Sequence, residues 1–222
     1  MDARDRREIV GSALVYFVCD AERVREPSQV CARVAEVGVR LVQLRTKALG
    51  DAEAYALAAQ VATELRRRGA LLIVNDRVDL ALAVDADGVH VGAQDLPASV
   101  ARRLIGPDRI LGASAHNAIE ATNAVQSGAD YVGCGSVFPT RTKDDASVRG
   151  LDVVREVRAA TVVPVYGIGG IDAGNAARVI QAGADGVAVG RAIGDAPDPA
   201  AAARQLLDVV RRMRGAIEAQ RT

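Results

Sequence analysis

The sequence contains no tryptophan, and its 222 residues include only two phenylalanines and four tyrosines. The interior must therefore be built mainly from small aliphatic side chains, and half of the chain is indeed apolar. Ala, Val, Leu and Ile suit a parallel sheet covered by helices, whose strands read as Val/Ile/Leu runs. An excess of charge is missing too, since Lys+Arg and Asp+Glu both number 28. That balance argues against an extended nucleic-acid surface, so any anionic ligand must be met by local placement of charge. Cysteine is scarce. Cys19, Cys31 and Cys134 are odd in number and lack metal-ligand spacing, which fits a reducing compartment better than a disulfide framework. No apolar run approaches the roughly 20 residues that span a bilayer. Met1–Glu8 is densely charged and has no apolar signal core,. The expectation is a soluble, cytoplasmic protein with no membrane partner.

Short β-rich runs alternate with Ala-rich stretches of helical length, among them 52–68 and 175–181. The strand candidates are 13–18, 41–44, 71–74, 88–91, 110–112, 131–134, 163–166 and 186–189. This alternation implies βαβ units and a parallel sheet. A weak repeat marks three αβ junctions, at Val84-Asp85-Ala86-Asp87-Gly88-Val89, Ser127-Gly128-Ala129-Asp130-Tyr131-Val132 and Ala182-Gly183-Ala184-Asp185-Gly186-Val187,. Eight strands can form a closed barrel or an open doubly wound sheet. A dinucleotide-binding sheet would carry a Gly-rich turn after its first strand, but Cys19-Asp20-Ala21-Glu22 stands there. Glycines cluster instead after strands seven and eight, at Gly167–Gly170 and Gly190, where barrels often bind phosphate. The reading is an α/β fold, a single-domain (β/α)8 TIM barrel over 1–222. Residues 1–12 are read as a charged leader, 139–150 as a loop over the strand ends, and 213–222 as a frayed tail after the last covering helix.

In such a barrel, residues just past the C-terminal strand ends converge on one mouth. Strand two ends in Gln43-Leu44-Arg45-Thr46-Lys47, where alternation points Gln43, Arg45 and Lys47 to one side. Arg grips phosphate oxygens bidentately and Lys adds a point charge. Strand three leads into Asn75-Asp76-Arg77, and strand four into Gly92-Ala93-Gln94-Asp95. Asp76 and Asp95 together with phosphate oxygens and water suit Mg2+, although each taken alone is more often a helix N-cap. Strand five supplies Ser114, His116 and Asn117; His116 is either an acid/base group or a packing residue beside an Asn117 cap. His90 lies inside a strand pattern and reads as structural. Strand six runs into Phe138-Pro139-Thr140-Arg141-Thr142-Lys143, hydroxyls and cations suited to a phosphorylated ligand. The Gly-rich turns at Gly170 and Gly190-Arg191 let backbone N–H groups approach an anion. Their convergence on one rim predicts two separate phosphate groups and a metal. No Ser-His-Asp order, cysteine nucleophile signature or zinc spacing stands out.

These segments resemble those of the thiamine phosphate synthase family. The likeness is carried by Gln43-Leu44-Arg45-Thr46-Lys47, Val74-Asn75-Asp76-Arg77-Val78-Asp79, Gly88-Val89-His90-Val91-Gly92, Gln94-Asp95-Leu96-Pro97, Gly133 through Ala146, and Ile168-Gly169-Gly170-Ile171. They stand in family order from about residue 13 to about residue 212. The resemblance implies transfer of the pyrimidinylmethyl group of 4-amino-2-methyl-5-(diphosphooxymethyl)pyrimidine to a thiazole ethyl phosphate. The products are thiamine phosphate and pyrophosphate, with CO2 if the thiazole is carboxylated. It also implies Mg2+ at Asp76 and Asp95. Gln43, Leu44, Arg45, Thr46, Lys47, Asn75, Ser114 and Lys143 would hold the pyrimidine pyrophosphate, with Gln43 and Ser114 toward the aminopyrimidine. Thr140, Arg141, Thr142, Gly170, Gly190 and Arg191 would hold the thiazole phosphate. Arg45, Ser114 and Lys143 would act in catalysis. The family's last phosphate turn commonly carries a small hydroxyl residue where this chain has Arg191.

Two rival readings fit the same sequence. A related thiazole tautomerase would use His116 as acid/base and would not need the full cation and carboxylate set. A phosphate-ligand sensor on the same scaffold would bind without consuming a pyrophosphate. The small-molecule substrates are the only partners expected, and a homo-oligomer is left open.

Overall fold

The computed structural model describes residues 2–140 and 148–220. Eight strands, β1 (Val15–Asp20), β2 (Leu41–Arg45), β3 (Leu71–Asn75), β4 (Gly88–Val91), β5 (Ile110–Ala115), β6 (Tyr131–Cys134), β7 (Val165–Ile168) and β8 (Gly186–Val189), pair in parallel in sequence order, and β8 returns to β1 to close a barrel. The helices are α1 (Ala3–Ser12), α2 (Pro27–Glu36), α3 (Asp51–Arg67), α4 (Val78–Ala83), α5 (Ala98–Ile105), α6 (Ala118–Gln126), α7 (Asp152–Ala160), α8 (Ala176–Gln181), α9 (Arg191–Gly194) and α10 (Pro199–Ala219). Among the described residues no helix is long and apolar enough to cross a membrane.

The period-two alternation of strand side chains sorts the apolar residues into two cores. Phe17, Val42, Leu44, Leu72, Val89, Leu111, Val132, Val165 and Val187 face outward into the layer beneath the helices. Tyr16, Leu41, Leu71, Ile73, Ile110, Tyr131, Tyr166 and Ala188 fill the barrel interior. Aromatics are rare in the chain, yet three of its four tyrosines meet here edge to face, with centroids 5.5 Å apart for Tyr16–Tyr166 and 5.6 Å for Tyr16–Tyr131 and Tyr131–Tyr166,. Glycine makes the room. A Cβ at Gly112 would stand 2.2 Å from Tyr131 Cζ, and one at Gly186 would stand 2.7 Å from Tyr166 Cε1.

The sequence repeat has a structural cause. Asp87, Asp130 and Asp185 each stand just before an even-numbered strand. Their carboxylates accept the backbone N–H of Leu72, Leu111 and Val165 on the preceding odd strand, at 3.0, 2.8 and 2.8 Å. Each is also paired with arginine: Arg6 on Asp87, Arg7 and Arg102 on Asp130, and Arg158 on Asp185.

Two expectations need correction. Residues 1–12 are no loose leader, since from Ala3 onward they form α1. Asp2 and Asp5 cap it reciprocally,. The helix closes the bottom of the barrel: Val10 is buried among the interior residues, its carbonyl accepts from the Tyr166 hydroxyl at 2.5 Å, and Arg6 and Arg7 pair with the junction aspartates. The dense charge hid an apolar contact face. Nor does the tail fray from 213: α10 continues to Ala219, and Met213 and Ile217 pack against the outer core. Strand bounds moved slightly, with β1 at 15–20, β5 extending to Ala115 and β7 starting at Val165.

Candidate active site

The C-terminal strand ends form the mouth opposite α1. On β2, Gln43 is buried and Arg45 is half-buried, while Leu44 faces the helices, leaving only its backbone for the mouth. Thr46 is buried as well. Arg45 Nη1 donates to Asp20 Oδ2 at 2.9 Å, so the end of β1 orients the guanidinium. Asp20 was passed over in the sequence, where it counted only as the residue after Cys19. The β1–β2 register, which sets Asp20 beside Arg45, is not written in local spacing.

Asp76 follows β3 with a left-handed backbone, φ 61°, a conformation Asp adopts more readily than most residues. Its N–H donates to the His90 carbonyl at 2.8 Å, which anchors the turn on β4. The side chain is no helix cap, because α4 starts at Val78 with no side-chain cap. It pairs with Lys47 Nζ at 2.8 Å and faces the Asp95 carboxyl. Burial and that second carboxyl push Asp76 above the usual carboxylate range, against the pull of Lys47,. Asp95 is no cap either: its Oδ2 accepts from Gly92 N–H at 2.8 Å, and α5 begins after Pro97 without a side-chain cap.

Two facing carboxylates that repel one another make a site that favours a cation. Oxygen donors suit a hard divalent ion, and among the described residues no cluster of three or more His, Cys, Asp or Glu gathers to supply a full ligand set. A partial set fits Mg2+, which keeps water and binds through one or two carboxylates plus substrate phosphates.

Asn75 ends β3 and is half-buried. Ser114 lies on β5, its Oγ 3.1 Å from His90 Nε2. Asn117 caps α6 by accepting the Glu120 N–H at 2.8 Å. His116, in the turn between β5 and α6, has Nδ1 2.9 Å from Oε2 of Glu120 on α6, with its side chain 43% exposed. Burial acts to raise the Glu120 carboxyl, but the His116 contacts and the Asn117 amide hold it below its usual value.

Across the mouth, the β7–α8 turn places Gly169 and Gly170 at φ 103° and 61°. A Cβ on Gly170 would lie 2.4 Å from the Pro139 carbonyl oxygen, so glycine is required. Asn175 Nδ2 donates to the Gly170 carbonyl at 2.9 Å and ties the turn to α8. Gly190 opens α9, and a Cβ there would come 3.3 Å from the Val18 oxygen. Arg191 Nε donates to Asp195 Oδ2 at 2.8 Å, four residues along. Its guanidinium is therefore engaged on its own helix, and the backbone N–H is what position 191 offers the turn. Thr140 lies at the edge of the described residues, while Arg141, Thr142 and Lys143 lie outside them.

A model of the family described as thiamine monophosphate synthase matches residues 15–193. The thiamine-phosphate synthase of Moorella thermoacetica is 53% identical over 179 residues, covering 80% of this chain and 85% of its own length. A bifunctional thiamine biosynthesis protein of Symbiobacterium thermophilum is 53% identical over 194 residues; the match takes in 87% of this chain but only 40% of that protein. The solved structure of a Pyrococcus furiosus thiamine phosphate pyrophosphorylase superposes with a TM-score of 0.85 at 38% identity, covering 92% of this chain and 98% of that one. With its strand-end motifs set around one mouth and this extent of identity, the chain belongs to the thiamine monophosphate synthase family.

Proposed function

We infer that the protein joins a pyrimidinylmethyl pyrophosphate to a thiazole phosphate, forming thiamine phosphate and releasing pyrophosphate. The observation that carries this reading is the facing of Asp76 and Asp95 beside Lys47, on the rim that also holds Arg45. A lone phosphate needs no carboxylate pair; a pyrophosphate brought with a divalent ion does.

Arg45, Lys47, Asn75 and Lys143 grip the pyrophosphate oxygens, and Gln43 and Ser114 face the aminopyrimidine. Asp76 and Asp95 would hold Mg2+, which would supply compensation for the charge that grows on the departing pyrophosphate. The C–O bond to pyrophosphate breaks, and the electron-rich aminopyrimidine shares the resulting positive charge. The thiazole nitrogen lone pair then forms the new C–N bond. Fixed cations in a water-poor mouth stabilise the leaving polyanion more in the transition state than in the ground state. No protein nucleophile is required. Thr140 and the backbone N–H groups at Gly170, Gly190 and Arg191 hold the thiazole phosphate on the opposite side, which leaves its ring free to approach; Arg141 and Thr142 are assigned to the same phosphate by the family resemblance. The three cysteines are buried and free of disulfides, in keeping with a cytoplasmic enzyme.

The test is to mix both substrates with Mg2+ and follow pyrophosphate. Release that depends on the thiazole phosphate is expected. No release, or release indifferent to the thiazole phosphate, overturns the assignment.

A further inference from the structure

Beneath the mouth, one chain of hydrogen bonds joins the two side chains assigned to the aminopyrimidine. Gln43 Nε2 donates to the Tyr16 hydroxyl at 2.6 Å. The Tyr16 and Tyr131 hydroxyls lie 2.7 Å apart. Tyr131 OH is 3.1 Å from His90 Nδ1, and His90 Nε2 is 3.1 Å from Ser114 Oγ. Gly112 keeps the path open, because a Cβ there would stand 2.3 Å from the Tyr131 oxygen and 2.5 Å from His90 Nδ1.

Donor counting gives this chain a direction. An amide nitrogen only donates, so Tyr16 accepts from Gln43 and must send its own proton to Tyr131. Burial drives both phenols above their usual range, so each keeps its proton. Tyr166 is no outlet, since its hydroxyl is spent on the Val10 carbonyl. Tyr131 therefore donates to His90 Nδ1. A neutral imidazole that accepts at Nδ1 carries its hydrogen on Nε2, and that hydrogen points at Ser114 Oγ. The serine oxygen is satisfied from below, and its own hydrogen is free to turn into the mouth.

We propose that His90 is a positioning residue, held by Tyr131 as the neutral Nε2–H tautomer, which fixes the Ser114 hydroxyl as a hydrogen-bond donor into the mouth. The other end of the chain is its complement, because Gln43 spends its amide nitrogen below and keeps Oε1 as its acceptor. A 4-aminopyrimidine, with an exocyclic N–H donor and a ring-nitrogen acceptor, matches an acceptor at Gln43 and a donor at Ser114. A 4-oxo analogue presents the reverse pattern and would be refused. The ligand part of this inference rests on the function proposed above; the tautomer does not.

The chain has only two histidines, His90 and His116, so nitrogen NMR of the resting, 15N-histidine-labelled protein assigns His90 by its loss in H90Q. The expected signature is a neutral imidazole protonated at Nε2. An Nδ1-protonated ring or an imidazolium overturns the proposal. In Tyr131→Phe, which keeps the packed ring and removes only the hydroxyl, the tautomers should mix. The kcat/KM for the pyrimidine pyrophosphate should fall about tenfold, the scale of one hydrogen bond, with KM for the thiazole phosphate unchanged. An unmoved tautomer, or equal effects on both substrates, counts against it. His90→Gln, which retains an amide donor toward Ser114, should keep more activity than His90→Leu, and equal losses would refute the positioning role. Since the tautomer is read without substrate, a failure of the catalytic assignment would be told apart from a failure of this one.

Discussion

Asp76→Asn separates the chemistry of the mouth from the stability of the barrel. The substitution leaves shape almost unchanged, and asparagine accepts the left-handed φ of 61° that this position demands,. It removes one negative charge that burial and Asp95 make unwelcome. The loss to set against this is the ion pair with Lys47, whose side chain is 52% exposed. Pairs of that kind contribute about 0–1 kcal/mol. The two effects oppose, so the metal-free variant should lie within about 1 kcal/mol of the parent, roughly 2–4 °C in Tm for a chain of this size. Turnover should fall far more, by about 10²–10³, the scale of losing one charge-stabilising contact. The pH dependence carries a sign. The folded-state pKa of Asp76 is raised, so ionising it costs the folded state. That cost is absent below the unfolded value, grows as pH rises through the folded value, and is full above it. In EDTA, the parent's melting temperature should therefore contain a component that falls with rising pH, and Asp76→Asn should lack it. Calorimetry across acidic to neutral pH and steady-state pyrophosphate release check both arms. A variant that melts far below the parent in EDTA, or turns over normally, would refute the reasoning.

Val10→Ala should lower stability by about 2 kcal/mol through two lost buried methyl groups, while kcat stays at the parent value wherever the protein is folded, because α1 and the mouth are at opposite ends; denaturant unfolding and activity on one sample check this. His116→Ala should keep most turnover, since the imidazole is spent on Glu120 and no essential base is invoked; total loss of activity in a folded variant would revive an acid/base mechanism at that position.

The strand ends were legible in the sequence because each announces itself locally. Gln43-Leu44-Arg45-Thr46-Lys47 alternates with period two, Asp76 and Asp95 follow apolar runs, and glycines after β7 and β8 mark backbone approach. The glycine at 170 stands where a Cβ would lie 2.4 Å from the Pro139 carbonyl oxygen. The choice between cap and ligand for the two aspartates was not legible, because a carboxylate before a helix looks the same in sequence whichever it serves. The amphipathic character of α1 was masked by charge: Arg6 and Arg7 belong to a densely charged stretch, yet they reach Asp87 and Asp130, distant in sequence.

By itself the sequence determined an eight-fold βα alternation, an aliphatic core, and a rim whose residue types suit two phosphates and a divalent ion. Those properties follow from composition and periodicity, which act over a few residues. The pairing of Asp20 with Arg45, the facing of Asp76 and Asp95, and the chain from Gln43 through Tyr16, Tyr131 and His90 to Ser114 were decided only by the tertiary structure. The physical reason is register. A parallel barrel brings together side chains from strands far apart in sequence, and a shift of one residue would turn every one of them to the opposite face.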